Sequence, residues 1–193
     1  LGGADLTVPA AGCLGVFPRV ADWNADGRKD LLLGLSDGRV RVLLNANTDE
    51  APEFTAGFDV EAGPAGAAAE IDVGSRATVQ MVDWNADGRA DLVLGAMDGR
   101  VRVYLNEGSA AAPEFRTEWI VQDAAGDLTV PGGRSSVAVA DLDGDGRLDL
   151  VLGNSEGQLF LYRNVGSPQV PRFETGQRLQ ADGVAINLGT ARS

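Results

Sequence analysis

Hydrophobic residues fall in short runs that recur three times along the chain, about 60 residues apart. Each copy has an apolar run that ends in glycine: LLLG at 31–34, LVLG at 92–95 and LVLG at 150–153. A second run follows in which charged and apolar residues alternate, as in RVRVLLN at 39–45 and RVRVYLN at 100–106. Alternation with a period of two predicts half-buried β-strands.

The segments around these runs complete a four-stranded unit. An apolar run precedes each acidic phrase (VFPRVA, TVQMV and SVAVA), and an Asp-Gly or Glu-Gly turn separates the second and third strands. Such turns supply the positive φ angles that hairpins need. A fourth strand is predicted to start at Phe54, Phe115 and Phe173. Because no stretch carries a useful helical stripe, we predict an all-β fold of three four-stranded antiparallel β-propeller blades, as a partial ring or part of a larger assembly.

Repetition also sets the predicted boundaries. Residues 3–15 resemble 126–136, which lead into the third unit, and residues 183–193 resemble 68–78, which lead into the second. We therefore expect the chain to begin with a connector and to end on the approach to a further blade. The predicted division is blades at 15–60, 76–122 and 135–180, with connectors at 1–14, 61–75, 123–134 and 181–193.

The acidic phrases DWNADGRKD, DWNADGRAD and DLDGDGRLD supply the candidate chemistry. Oxygen-bearing side chains stand at loop positions 1, 3, 5 and 9, and an arginine at position 7 is able to offer its backbone carbonyl. Glycine fills position 6, where the chain must bend sharply. The candidate metal ligands are Asp22, Asn24, Asp26, Arg28 and Asp30; Asp83, Asn85, Asp87, Arg89 and Asp91; and Asp141, Asp143, Asp145, Arg147 and Asp149.

Five hard oxygen donors from one loop, completed by water, suit Ca²⁺ better than the stricter geometry of Mg²⁺. Carboxylates 4–5 Å apart repel by roughly 4 kcal/mol per closest pair at an effective dielectric near 20, so a bound cation is expected to hold the loop closed. An EF-hand would need Glu at position 12, where these loops have Leu33, Leu94 and Leu152. We predict three Ca²⁺ sites, one in each repeat; an Asp-Gly turn without metal is the alternative.

Composition narrows the function classes. The net charge of −12 argues against nucleic acid and anionic membranes as partners. No apolar run is long enough for membrane insertion, and the first residues do not resemble a signal peptide. The chain has no histidine, which removes the usual Ser and Cys triads and most zinc sites. The single cysteine, Cys13, is expected to be a small buried residue.

The acidic phrase, the following DLVLG, the glycine turn and VYLN together resemble the FG-GAP/VCBS repeats of integrin α-subunit-like β-propellers. The resemblance covers nearly the whole chain. It implies a propeller that binds Ca²⁺ between the first and second strands of each blade, at the fifteen positions given above. The FG and GAP signatures are degraded to VFPRVAD, TVQMVD and SVAVAD, which favours a bacterial, VCBS-like branch and weakens any transfer of integrin ligand recognition.

Aromatic and arginine side chains outside the ligand positions are expected to have structural roles. Trp23 and Trp84, at loop position 2, are expected to pack against a neighbouring blade rather than to stack on sugars. Tyr104, Phe160 and Tyr162 are expected in the core. The arginine pairs Arg39/Arg41 and Arg100/Arg102 are expected to line a solvated strand face; binding of an acidic saccharide is the alternative.

Three functions remain open. The favoured one is a non-catalytic, extracellular or cell-surface calcium-binding module for adhesion, recognition or surface assembly, with a carbohydrate or protein ligand. The second is a structural protomer that assembles head-to-tail with itself, or with further blades of a longer chain, into a closed ring or a filament. The third is a fragment of a polysaccharide-active enzyme such as a lyase, against which the absence of histidine weighs.

Overall fold

The computed structural model describes residues 15–189, which form strands, turns and bends. None of these residues lies in a helix that is long and apolar enough to cross a membrane. The first predicted connector, with Cys13, and residues 190–193 of the last connector lie outside the described residues. The strands are β1 Phe17–Ala21, β2 Asp30–Gly34, β3 Val40–Leu43, β4 Phe58–Asp59, β5 Glu61–Ala62, β6 Ala69–Glu70, β7 Thr78–Val82, β8 Asp91–Gly95, β9 Val101–Asn106, β10 Phe115–Ile120, β11 Gln122–Asp123, β12 Gly126–Asp127, β13 Ser136–Ala140, β14 Asp149–Gly153, β15 Leu159–Tyr162, β16 Gln177–Arg178, β17 Gln180–Ala181 and β18 Val184–Ala185.

Three four-stranded antiparallel meanders form the blades, as the repeats predict. Blade 1 has the order β1-β2-β3-β4 and blade 3 the order β13-β14-β15-β16. Blade 2 uses β7 to β10, and its outer strand also pairs in parallel with β5, which makes a six-stranded sheet. The predicted all-β class and the four-stranded antiparallel blades are confirmed.

The fourth strand starts at the predicted residue only in blade 2. There Phe115 pairs with Asn106, and a register shift follows before Glu118 pairs with Tyr104. In blades 1 and 3 the corresponding phenylalanines form only isolated bridges, and the strands β4 and β16 begin four residues later. The prediction for Phe54 and Phe173 was therefore wrong, because a bulge separates the first bridge from the continuous ladder.

Each blade is followed by a short hairpin: β5–β6, β11–β12 and β17–β18. These hairpins overlap the predicted connectors, although β11 and β17 begin one residue before them. The segment that follows each hairpin donates a backbone N–H to the β-turn of its own blade. Val73 donates to the carbonyl of Gly38, Val130 to that of Gly99, and Leu188 to that of Gly157, at 2.8–3.0 Å. The connector is thus a repeated structural element rather than a free link.

The hydrophobic core lies between blades. One cluster joins blade 1 to blade 2 and includes Leu32, Val42 and Leu92. A second cluster joins blade 2 to blade 3 and includes Val103 and Leu150. Glycine allows this close approach at Gly34 and Gly95, where a Cβ would lie 2.0 Å from the carbonyl oxygen of Ala77 and 2.4 Å from that of Ser135.

The two outer faces of the stack differ. A partial ring of three blades is expected to leave an open face on both blade 1 and blade 3. On blade 1, however, Leu33, Leu35 and Leu43 are buried in a third cluster, which Val16, Leu31 and Phe54 border. On blade 3, Val151, Leu159 and Leu161 are only half-buried. Leu188 is 77% exposed, whereas its counterparts Val73 and Val130 are buried, so the open face lies at the end of blade 3.

Candidate metal centre

Each acidic loop joins the first strand of a blade to the second, so the blade fixes both of its ends. Within the second loop the two oxygens of Asp83 accept hydrogen bonds from the backbone N–H groups of Asp87 and Gly88, at 3.0 and 2.9 Å. Asp22 and Asp141 accept equivalent bonds in the other loops. The position 6 glycines have φ of 82–86°, a region that favours glycine. The sequence therefore winds each loop around its first carboxylate.

The position 9 aspartates are buried at the start of the second strand. The Oδ1 atoms of Asp30, Asp91 and Asp149 each accept the backbone N–H of an asparagine at the end of the third strand, at 2.7–2.8 Å. In the first two loops the Oδ2 atom accepts the N–H of the position 2 tryptophan, at 2.8 and 2.9 Å. Position 9 thus locks the loop to its blade.

The partner asparagines were missed by sequence reasoning. Asn45, Asn106 and Asn164 are 1–2% exposed, and the Oδ1 atom of each accepts two backbone N–H groups from the following turn. The sequence does mark these asparagines, because LLN, YLN and YRN stand at the end of the third strand in all three copies. An asparagine at a fixed offset from a repeated acidic loop indicates a local support for that loop.

The side chains of the position 7 arginines contact both the supporting asparagine and the loop itself. Nε of Arg28, Arg89 and Arg147 donates to the carbonyl of the supporting asparagine, at 2.7–2.8 Å. A terminal guanidinium nitrogen also contacts the carboxylate at position 5 of the same loop. The arginine therefore ties the loop to the third strand and places a positive charge beside the acidic cluster.

The third loop brings the most carboxylates together. Oxygens of Asp141, Asp143 and Asp145 lie within 4.8 Å of one another, and all three residues are exposed. Asp149 is 2% exposed, and its Oδ2 atom has no hydrogen-bond partner. Converging exposed carboxylates, in a loop that ends on a buried carboxylate with an unsatisfied oxygen, match the donor chemistry of a hard divalent cation such as Ca²⁺. The residues of this loop fit a metal.

Local hydrogen bonds and burial shift the pKa values of several loop carboxyls. Backbone N–H donors, that of Gly146 first, lower the pKa of Asp141, and the N–H of Arg28 lowers that of Asp26. Burial acts in the opposite direction on Asp91 and raises its pKa to about 6. Asp141 and Asp26 are therefore held as carboxylates, whereas Asp91 carries its charge at a cost.

The aromatic and arginine side chains outside the ligand positions lie mostly where the sequence predicts. Trp23 and Trp84 are buried, with ring centroids 5.9 Å from Phe115 and 5.8 Å from Phe173, so their predicted packing role is confirmed. Tyr104, Phe160 and Tyr162 are in the core, as predicted. Arg102 departs from the predicted solvated face, because its side chain is 11% exposed and paired with Asp98 and Glu118.

A groove between blades 2 and 3 was not predicted. It encloses about 770 Å³, and its lining includes Trp84, Asn85, Trp119, Gln122, Gln169 and Arg172. The side chain of Trp119 is 58% exposed, in contrast to the buried loop tryptophans. Because Trp119 stands on the outer strand β10, its exposure depends on how the blades pack, which no local pattern encodes.

One known family of repeats matches the part of the chain that contains the second and third acidic loops. A model of the FG-GAP-like repeat matches residues 83–152, from the start of the second acidic loop to strand β14. The match therefore contains the whole second loop and the whole third loop.

Two curated proteins are similar to part of the chain. The chain is 33% identical to integrin alpha-4 of Xenopus laevis in an alignment 124 positions long, which covers 58% of this chain and 12% of the relative. It is 28% identical over 113 residues to human cartilage acidic protein 1, covering 54% of this chain and 16% of that protein. The aligned part of the chain thus spans less than a fifth of these relatives.

Among solved structures, the Photorhabdus luminescens Tc holotoxin pore resembles the chain with a TM-score of 0.51 at 20% identity. The alignment covers 88% of this chain and 7% of that one. At this identity the likeness supports the fold alone.

Proposed function

Because the chain contains an FG-GAP-like repeat related to the integrin α propeller, we propose that it is a non-catalytic, calcium-binding β-propeller module for recognition, adhesion or surface assembly outside the cell. The observation that carries the proposal is the third loop, where three exposed carboxylates converge and where Asp149, at position 9, keeps an unsatisfied buried oxygen. The first two loops share the same backbone winding and bind one Ca²⁺ each in this proposal.

The bound ion would be held by side-chain oxygens at positions 1, 3, 5 and 9, with the backbone carbonyl of the position 7 arginine as a further donor. Calcium supplies the positive charge that offsets repulsion between the carboxylates. The blade positions the loop, because the buried asparagine and the position 9 aspartate hold the loop ends in place. Cation binding is therefore coupled to the stability of the blade.

Thermal unfolding with and without calcium tests this function. A site that binds only the folded chain adds about 2.7 kcal/mol when free Ca²⁺ is 100-fold above Kd. For a chain of this size, 1 kcal/mol corresponds to roughly 2–4 °C in Tm, so three filled sites raise Tm by well over 10 °C. Magnesium at the same concentration is the control. An identical Tm in millimolar Ca²⁺ and in excess EGTA would refute the proposal.

The extracellular location rests on the affinity expected of exposed loops of this kind. Calcium sites in extracellular modules have Kd values of roughly 10⁻⁴–10⁻³ M, which cytosolic calcium does not fill. A Kd in the nanomolar range would contradict this location. The absence of histidine supports the non-catalytic part of the proposal, since it removes the commonest general base.

Recognition is assigned to the groove between blades 2 and 3. An exposed indole flanked by amide side chains suits a neutral saccharide or a peptide side chain, because it offers an apolar face and hydrogen-bonding groups together. Trp119→Ala is expected to abolish binding on a glycan or peptide array that the wild type reads, whereas Trp23→Phe, at a buried tryptophan that does not line this groove, retains it. Equal binding by wild type and Trp119→Ala would place recognition elsewhere.

A structural protomer is the second candidate, and the open face of blade 3 favours it. Gly153 corresponds to Gly34 and Gly95, yet a Cβ there would meet nothing closer than 3.6 Å. Together with the exposed Leu188, this face is built like the two covered interfaces, but none of the described residues 15–189 covers it. Contiguous exposed apolar surface of this kind marks an interface. The occupant in this candidate is blade 1 of a second copy, in a head-to-tail contact that closes as a ring or propagates as a filament. Because Leu33, Leu35 and Leu43 of blade 1 are buried, this contact requires the segment that covers them to move away.

Light scattering of the chain in millimolar calcium tests the assembly. A mass that is a multiple of 20.0 kDa, lost in Leu188→Glu, supports head-to-tail contact. A monomer that remains stable at high concentration would refute self-assembly, although it would leave the calcium proposal standing.

A further inference from the structure

We propose that the three acidic loops are not equivalent and that the third, residues 141–149, is the preferred cation site, with Asp143 and Asp149 setting the preference. The inference rests on the proposed calcium function and ranks its sites. Two differences between the third loop and the other two carry it, one at position 9 and one at position 3.

The first difference is the buried oxygen at position 9. In the second loop, Oδ1 of Asp91 accepts the N–H of Asn106 and Oδ2 accepts the N–H of Trp84, so both oxygens are satisfied. Asp30 is satisfied in the same way. Asp149 keeps the bond to Asn164, but its Oδ2 atom has no donor. A buried carboxylate oxygen without a partner is costly, and a cation in the loop would relieve that cost.

The second difference is at position 3. Asn24 and Asn85 are neutral, and the Nδ2 group of each donates to the position 5 carboxylate at 3.0 and 2.9 Å. That contact satisfies an oxygen the ion would otherwise use. Asp143 has no such donor group and adds a full negative charge to the cluster. The number of charged ligands is a main determinant of calcium affinity, so the third loop gains on both counts.

A local counter-ion opposes this gain. Arg163, at the end of β15, contacts the carboxylate of Asp143, whereas the equivalent residues in the other copies are Leu44 and Leu105. The Arg163 side chain is 43% exposed, so it is able to move into solvent when a cation binds. Its contact is a surface ion pair of small net worth, which a divalent ion in the loop replaces. Arg163→Leu therefore strengthens the third site.

Isothermal titration of the metal-stripped chain with CaCl₂ tests the ranking, and reciprocal variants assign the sites. The wild type is expected to show one tight and two weaker sites. Asp143→Asn, which gives the third loop the amide of the second, lowers the highest affinity by about tenfold or more. Asn85→Asp makes the opposite change in the second loop and strengthens that site. Circular dichroism checks that the variants fold.

Each result decides the matter. Three equal sites in the wild type, or a highest affinity unchanged by Asp143→Asn, would overturn the ranking while calcium binding itself remains supported. Weaker binding by Arg163→Leu would also contradict it, because removal of a competing cation must favour Ca²⁺. No calcium bound at millimolar concentration by the wild type overturns the proposed function and the ranking together.

Discussion

The buried asparagine at the end of the third strand gives the most direct test of how the loops are supported. Asn45 is 1% exposed, and its Oδ1 atom accepts the backbone N–H groups of Asn47 and Glu53, both at 3.1 Å. Its Nδ2 group donates to the carbonyl of Thr48 at 3.4 Å. Asn45→Ala removes all three partners and keeps the backbone bond from residue 45 to Asp30.

The expected loss follows from these bonds. A buried backbone group left without a partner costs about 1–3 kcal/mol, and the two N–H groups lie in a turn that water reaches in part. The loss for Asn45→Ala is therefore about 2–4 kcal/mol in the free energy of unfolding, or roughly 4–16 °C in Tm. Asn47→Ala is the matched control, because its side chain is exposed in the same turn; it should change stability by less than about 0.5 kcal/mol.

Urea unfolding followed by circular dichroism, in excess calcium and again after chelation, measures both variants. The loss should appear in both conditions, because the asparagine acts on the blade and not on the ion. If Asn45→Ala and Asn47→Ala unfold at the same urea concentration, the asparagine is not the support we describe. If the loss appears only with calcium present, the residue acts through the metal instead.

Two further predictions concern packing and charge. Gly95→Ala places a Cβ 2.4 Å from the carbonyl oxygen of Ser135 and should lower the free energy of unfolding by at least about 1–3 kcal/mol, as measured in urea. Gly153→Ala is the control, because its Cβ would have no contact below 3.6 Å, and it should change that free energy by less than about 0.5 kcal/mol. Equal losses in the two variants would contradict the packing argument. The pKa of Asp91 is raised by burial from 3.8 to about 6, so the stability this group contributes is full below pH 4 and is lost as pH rises through 6. Relative to Asp91→Asn, the metal-stripped wild type should thus lose up to about 3 kcal/mol between pH 4 and 7, and a difference that does not vary with pH would refute this.

Much of the fold was predictable because the same strand and loop pattern occurs three times in the sequence. The periodicity of two in RVRVLLN and RVRVYLN, the Asp-Gly turns and the repeated apolar runs predicted the first three strands of every blade, and the structure confirms them. The fourth strand was predictable only in part. The bulge after Phe54 and Phe173 depends on how a long turn returns to its blade, and no residue pattern marks it.

The candidate site shows the same division. Sequence spacing was enough to predict the acidic loops and their glycine bends, since each loop is a local structure wound by its own hydrogen bonds. It did not predict the supporting asparagines, the guanidinium contacts or the exposed Trp119, because these join residues from separate strands. The identity of the fifteen ligands in all three loops stays a prediction.

The sequence by itself therefore determined the repeat, the strand pattern and the acidic loops, because each of these is set by neighbours within about ten residues. Only the tertiary structure decided which outer face stays open and which position 9 oxygen lacks a donor. Leu188 and Val130 have the same local pattern but opposite exposure, since the next blade covers one and not the other. Asp149 and Asp91 occupy the same loop position, yet the N–H of Trp84 donates to Oδ2 of Asp91 whereas Oδ2 of Asp149 has no donor.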